Sequence, residues 1–195
     1  MAIIHPNATV TPSKLDLLAA WLPSRPWAGS GAVEKVGSFR FDDPDGEVGV
    51  ESILVRRGEL LLHAPLTYRS APLAGADDHL VGTMQHSALG ERWIYDAVGD
   101  PVAVACFGRA LRGEQVQAEM ELWQEGAVVE RRETSVRVRV EPGHPSTTPE
   151  DATVLDVEGG RLSIARTIGT QLDGEQRLVA EWRDGHGVVA AWSAT

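Results

Sequence analysis

The run V-G-V-E-S-I-L-V-R-R-G-E-L-L-L-H-A-P-L-T, residues 48–67, decides the fold. Two β-rich stretches, Val48 to Arg56 and Glu59 to Thr67, flank Arg57-Gly58, the pattern of an antiparallel hairpin. With those two residues as the loop, Arg56 faces Glu59, Val55 faces Leu60 and Ile53 faces Leu62, so a charge pair and two apolar pairs support one register. Leu54 and Leu61 fall on the opposite face. Both faces of this sheet are therefore expected to be covered.

The same signature recurs along the chain. Leu80 to Ala88 and Arg92 to Ala97 flank Leu89-Gly90, and Thr153 to Val157 and Arg161 to Ile168 flank Gly159-Gly160. In the latter, Glu158 is set to face Arg161, Val157 to face Leu162 and Leu155 to face Ile164. Arg177 to Arg183 and Val188 to Trp192 turn at Asp184-Gly185-His186-Gly187. Val136, Val138 and Val140 alternate with Arg137 and Arg139, which predicts a half-buried strand with one wet face. Two helices interrupt the strands. Thr11 is placed to cap the first, Pro12 opens it, and Leu15, Leu18, Trp21 and Leu22 form its stripe up to Pro23. Asp100-Pro101 opens the second, which is apolar over most of its circumference to Leu111 and ends at Gly113, as a buried helix does. Two helices among about nine or ten hairpin-linked strands predict an α+β fold built on a strongly curved, mainly antiparallel β-sheet. Residues 1–195 are expected to form a single domain, with 141–151 as the most linker-like stretch.

Composition narrows the function. An apolar share of 43% suits a packed core, and a net charge of −10 opposes binding to nucleic-acid phosphates. One cysteine, Cys106, cannot build a disulfide framework. The N-terminus lacks a secretory pattern, no apolar run is long enough for a membrane helix, and lysine clusters for lipid are absent. The expectation is a cytoplasmic protein with no nucleic-acid or membrane partner, of open oligomeric state.

No Walker loop, no dinucleotide fingerprint and no nucleophile elbow occurs. The histidines lack metal-site spacing, so no metal or cofactor is implied, and Asp77-Asp78-His79 reads as a solvated acidic loop. The richest polar segment is residues 82–96. His86 and Asp96 form an acid–base pair if their strands bring them within ~3 Å, and otherwise serve as a hydrogen-bonded sheet histidine and a turn anchor. Tyr68-Arg69 closes a strand with an amphipathic ring and a guanidinium, which either grip a ligand oxygen or brace the loop through Asp77 or Asp78. Tyr68, Arg69, His86, Arg92 and Trp93 are the candidate ligand-binding set on the concave face of the sheet. Trp27, in a Pro- and Gly-rich loop, is a candidate exposed contact. The arginines of residues 131–139 either protect a sheet edge or meet an acidic partner.

The stretches T-P-S-K-L-D-L-L-A-A-W-L-P-S-R-P-W (11–27), F-R-F-D-D-P-D-G-E-V-G-V-E (39–51), P-L-T-Y-R-S-A-P-L-A-G-A (65–76) and G-T-M-Q-H-S-A-L-G-E-R-W-I-Y-D-A (82–97), followed by Asp100-Pro101-Val102, resemble the N-terminal cap domain of actinobacterial maltokinases. The resemblance is dense over residues 1–112 and looser beyond. It implies a cystatin-like curved sheet with helices. It also implies a link to maltose, trehalose or glucan metabolism. In full-length relatives a kinase follows the cap and carries the phosphotransfer residues. No H-G-D catalytic loop is present here, since His186-Gly187 is followed by Val188. The expected function is a non-catalytic binding or regulatory module acting with a separately encoded sugar kinase or glucan/trehalose enzyme. The alternatives are a binder of a sugar, sugar phosphate or nucleotide, and a hydrolase using His86 and Asp96.

Overall fold

The computed structural model describes residues 2–4, 8–124, 127–144, 152–172 and 174–194. In chain order it has β1 (Ala2–Ile4), β2 (Val10–Thr11), α1 (Lys14–Trp21), β3 (Val33–Asp42), β4 (Gly49–Arg57), β5 (Leu60–Arg69), β6 (Leu80–His86) and β7 (Gly90–Asp96). There follow α2 (Pro101–Leu111), β8 (Met120–Gln124), β9 (Ala127–Arg132), β10 (Val136–Pro142), β11 (Ala152–Val157), β12 (Gly160–Ala165), β13 (Gln176–Trp182) and β14 (Gly185–Ala194). A six-stranded sheet runs in the order β2-β6-β7-β5-β4-β3, and a five-stranded sheet in the order β10-β13-β14-β12-β11. A three-stranded sheet, β1-β8-β9, holds the parallel pair β1–β8; the other strand pairs are antiparallel. The fold is α+β, with a strongly curled, mostly antiparallel sheet and two short α-helices. The strands outnumber the sequence expectation because short pieces such as β1 and β2 carry too few residues to show alternation.

The central hairpin forms, but it closes one residue later than the sequence reading, which shifts each cross-strand partner by two. Its loop is Gly58-Glu59, with Arg57 opposite Leu60, Val55 opposite Leu62 and Ile53 opposite Ala64. Gly58 has φ +59°, the left-handed geometry that tight two-residue hairpin loops demand. The Arg57 side chain turns back to the carbonyls of Gly31 and Ala28, which places it in the strand. The later hairpin behaves alike: its loop is Glu158-Gly159, Leu155 faces Leu162, and Arg161 meets Asp156 rather than Glu158. A two-residue slip changes partners but leaves every side chain on its original face, so the hydrophobic pattern survives it.

Both faces of the six-stranded sheet are covered, as expected. On one, α1 lays Leu17, Leu18 and Trp21 over Ile53, Val55, Leu62, Ala64, Leu66 and Ile94. The cap of α1 is Ser13, not Thr11. The Ser13 hydroxyl accepts from the Asp16 N–H and the Asp16 side chain accepts from the Ser13 N–H, a reciprocal box readable in S-K-L-D. On the other face, Phe39, Phe41, Val50 and Leu54 meet α2 through Cys106, Phe107 and Leu111, and beyond it Leu162, Ile164, Leu178 and Val189 of the five-stranded sheet. The second helix is thus clasped between two sheets, which explains its apolar circumference. Asp100 caps it by accepting from the Val102 N–H.

The two large sheets are also stitched through backbone. The His63 N–H donates to the Arg166 carbonyl and the Ile168 N–H to the Leu61 carbonyl, so residues 166–168 extend along the first half of β5. Most of the linker-like stretch, residues 145–151, lies outside the described residues. No helix among the described residues is long and apolar enough to cross a membrane.

Candidate functional site

Strand register determines where each candidate residue goes. Across β5 and β7, Tyr68 faces Ile94 while Arg69 faces Trp93, so these neighbours point to opposite sides of the sheet. Tyr68, Arg92 and His86 lie on the side of α1, and Arg69 and Trp93 on the other. The candidate ligand-binding set is therefore split between two faces. His86 is opposite Gly90 at the hairpin tip, whereas Asp96 ends β7 at the far end of the same hairpin. Six residues of extended strand separate them, roughly 20 Å. The acid–base pair considered from sequence does not assemble.

His86, Arg69 and Asp96 each have a local task. His86 Nδ1 accepts from the N–H groups of Ala88 and Leu89, 3.1 and 3.2 Å away, closing the β6–β7 loop. Arg69 donates through Nε and Nη2 to the two oxygens of Asp100, each at 2.7 Å. It thereby ties β5 to the cap of α2 and not to Asp77 or Asp78. Burial alone would raise the Asp100 carboxyl, but the Arg69 guanidinium and the Val102 N–H outweigh it and hold it down. Asp96 is buried and gripped by Arg166. Trp27 is half-buried, edge-on to Trp21 at 5.8 Å, with the Arg166 guanidinium 5.0 Å from its ring centroid. The arginine stripe is answered by carboxylates: Arg131 by Glu119 and Glu121, Arg137 by Glu133, and Arg139 by Glu141 and Glu181. Among the described residues no group of three or more His, Cys, Asp and Glu side chains gathers as a metal site would require.

The notable polar constellation is one that sequence reasoning missed. At the first turn of α1, Lys14 reaches the Glu51 carboxylate on β4, and Arg40 Nη2 on β3 donates to the same oxygen at 3.1 Å. Glu51 is 3% exposed, yet it sits near the wall of α1 with two partly exposed cations over it. The Lys14 ammonium also lies 5.0 Å from the Tyr68 ring centroid. Alternation does point Glu51 inward with Ile53 and Val55, and an acidic residue on a buried face needs cations. Nothing in the spacing of Lys14, Arg40 and Glu51 says that these three meet.

The electrostatics of this cluster are those of a fixed charge array. Burial would raise Glu51, but Arg40 and Lys14 hold it at about 2. Burial, together with the nearby Glu51 charge, pushes the Tyr68 hydroxyl well above its ordinary value. Desolvation lowers the Lys14 ammonium, and Glu51 opposes that. Glu51 stays ionised and Tyr68 stays protonated at neutral pH, so neither is poised to exchange a proton. A small apolar gap lined by Pro65, Val98, Val104, Phe107, Leu162 and Ile164 lies between the two large sheets and has no room for a water molecule.

Residues 21–100 match the maltokinase N-terminal cap domain family. No curated protein matches the chain.

Proposed function

We propose, from the premise that residues 21–100 form a maltokinase N-terminal cap domain, that the chain is a non-catalytic binding and regulatory module. It acts with a sugar kinase or glucan/trehalose enzyme carried on a separate chain, in the carbohydrate metabolism of the actinobacterial cytoplasm. The family match carries this reading. The geometry supports it: Arg69, His86 and Asp96 of the 65–76 and 82–97 stretches are engaged in bracing β5, β7 and α2 and do not converge on a reacting atom. Co-purification of the tagged full chain with candidate sugar kinases, followed by kinase kinetics with and without it, tests the reading. Co-elution with a changed kcat or KM is expected. No binding and unchanged kinetics for every candidate overturns it.

A second reading, a small-ligand binder for a sugar, sugar phosphate or nucleotide, is favoured by the Lys14–Arg40–Glu51–Tyr68 cluster. Of the candidate ligand set it retains Tyr68. Trp93 and Arg69 on the opposite face form a separate patch, and His86 and Arg92 lie toward the hairpin tip.

A further inference from the structure

The cluster at the first turn of α1 has more cations and donors than its own acceptor can use. Lys14 and Arg40 both bond the single carboxylate of Glu51, with Lys35 near enough for its charge to act on it, which leaves surplus positive charge in an otherwise acidic chain. Lys14 and Lys35 are the only lysines of the sequence, and both converge here. Arg40 spends only Nη2 on Glu51. Its Nε is buried without a hydrogen-bond partner, and so is the Tyr68 hydroxyl, which lies beside Glu51 without a well-directed bond to it. Arg69 and Arg166, by contrast, each use Nε and further nitrogens on side-chain acceptors. Buried donors are normally satisfied, and two idle ones beside surplus positive charge call for an added acceptor that carries negative charge.

We infer that this cluster binds a phosphate-type oxyanion. A phosphoryl group offers three acceptor oxygens and nearly two negative charges, which match Lys14, Arg40 and Tyr68 in number and the surplus in sign. Lys14 is the movable wall of the site: its side chain is 29% exposed and lies across the Tyr68 ring on a flexible four-carbon stem. Swinging outward, it opens the way to Tyr68 Oη and Arg40 Nε and follows the oxyanion as its third donor. Glu51 stays ionised beneath and keeps Arg40 in place. This rests on the second reading above and is independent of any partner kinase.

The test is a heteronuclear NMR titration of the full chain with inorganic phosphate, against sodium chloride at matched ionic strength. Glucose 6-phosphate and glucose form two further arms. Saturable shifts at Lys14, Arg40, Tyr68 and their neighbours are expected by roughly 10 mM phosphate. Glucose 6-phosphate should move the same signals and glucose should not. Tighter binding of the hexose phosphate identifies a substituted phosphate as ligand, and equal binding identifies phosphate itself; either supports the site. Lys35→Gln, an exposed position whose change leaves the core intact, should weaken binding roughly threefold by removing one nearby charge. Arg40→Gln should abolish it. Shifts that merely track ionic strength, glucose binding as well as its phosphate, or affinity unchanged in both variants overturns the inference.

Discussion

The Arg166 guanidinium grips the Asp96 carboxylate through two hydrogen bonds, 2.9 Å from Nη1 and 2.7 Å from Nη2, with both side chains buried. Arg166 follows β12 of the five-stranded sheet and Asp96 ends β7 of the six-stranded one, so the pair spans the seam between the sheets. Arg166 Nε also donates to Thr153 on β11, and its face packs on Trp27. Removing one partner strands a buried charge. Asp96→Ala or Arg166→Met alone should each lower the unfolding free energy by about 3–5 kcal/mol in urea melts. The double variant should lose clearly less than the sum of the two singles. Additive losses would mean that the pair is not coupled.

The same seam fixes how much chain the fold needs. The core beneath Phe39, Phe41 and Leu54 is completed by Leu162, Ile164, Leu178 and Val189, more than fifty residues beyond α2. A fragment ending at Gly113 exposes that apolar face and leaves Asp96 and His63 without their distant partners. It should fail to give dispersed NMR signals or a cooperative thermal transition. A sharp transition in that fragment would show the six-stranded sheet to be self-sufficient.

His63 gives the stability a pH dependence of known sign. Its ring is buried, with Nδ1 3.1 Å from the Ala165 carbonyl oxygen and Nε2 3.0 Å from Ser52 Oγ. Burial, helped by the Arg166 charge, pushes its pKa down to about 3 from 6.5. The unfolded chain then takes up the proton first. Stability is complete above pH 6.5 and falls as pH drops below it, by up to ~1.4 kcal/mol per pH unit. Glu51, with its pKa lowered from 4.5, begins to contribute only in more acid solution, so the window between 6.5 and 4.5 isolates the histidine. His63→Leu should flatten the slope in that window even if it lowers stability overall. A slope identical to that of the parent chain would exclude His63 as its source.

The fold was legible because hydrophobic alternation and turn glycines are local. Val136, Val138 and Val140 along one strand, or the apolar circumference of 102–111, can be seen in the sequence without knowing what they pack against. Register was less legible, since Arg56–Glu59 and Glu158–Arg161 make sensible charge pairs in hairpins whose turns in fact lie one residue away, which shifts every partner by two. The glycine at a left-handed loop position, not the charge pair, sets the closure. The site was harder still. Arg69 was legible as a residue for gripping a ligand or for bracing, but its partner Asp100 lies 31 positions away and Arg166 lies 70 from Asp96. Lys14, Arg40 and Glu51 meet only because α1 crosses the sheet, and no local pattern encodes that crossing.

Glu51 is held ionised by Arg40 and Lys14, so Glu51→Gln removes the one negative charge between two cations and leaves them facing each other over a buried amide. We expect a loss of about 2–4 kcal/mol at neutral pH, in the range of broken buried charge networks. The linkage sign gives a second readout. A carboxylate with a depressed folded pKa stabilises above its unfolded value and loses that contribution as pH falls from 4.5 toward 2. Parent and Glu51→Gln stabilities should therefore converge as pH is lowered through that interval. Curves that stay parallel would place the stabilisation in packing rather than charge. Lys14→Met separates the two cations: it should cost less than Glu51→Gln, because Arg40 still neutralises the carboxylate and the Met stem still covers the Tyr68 ring.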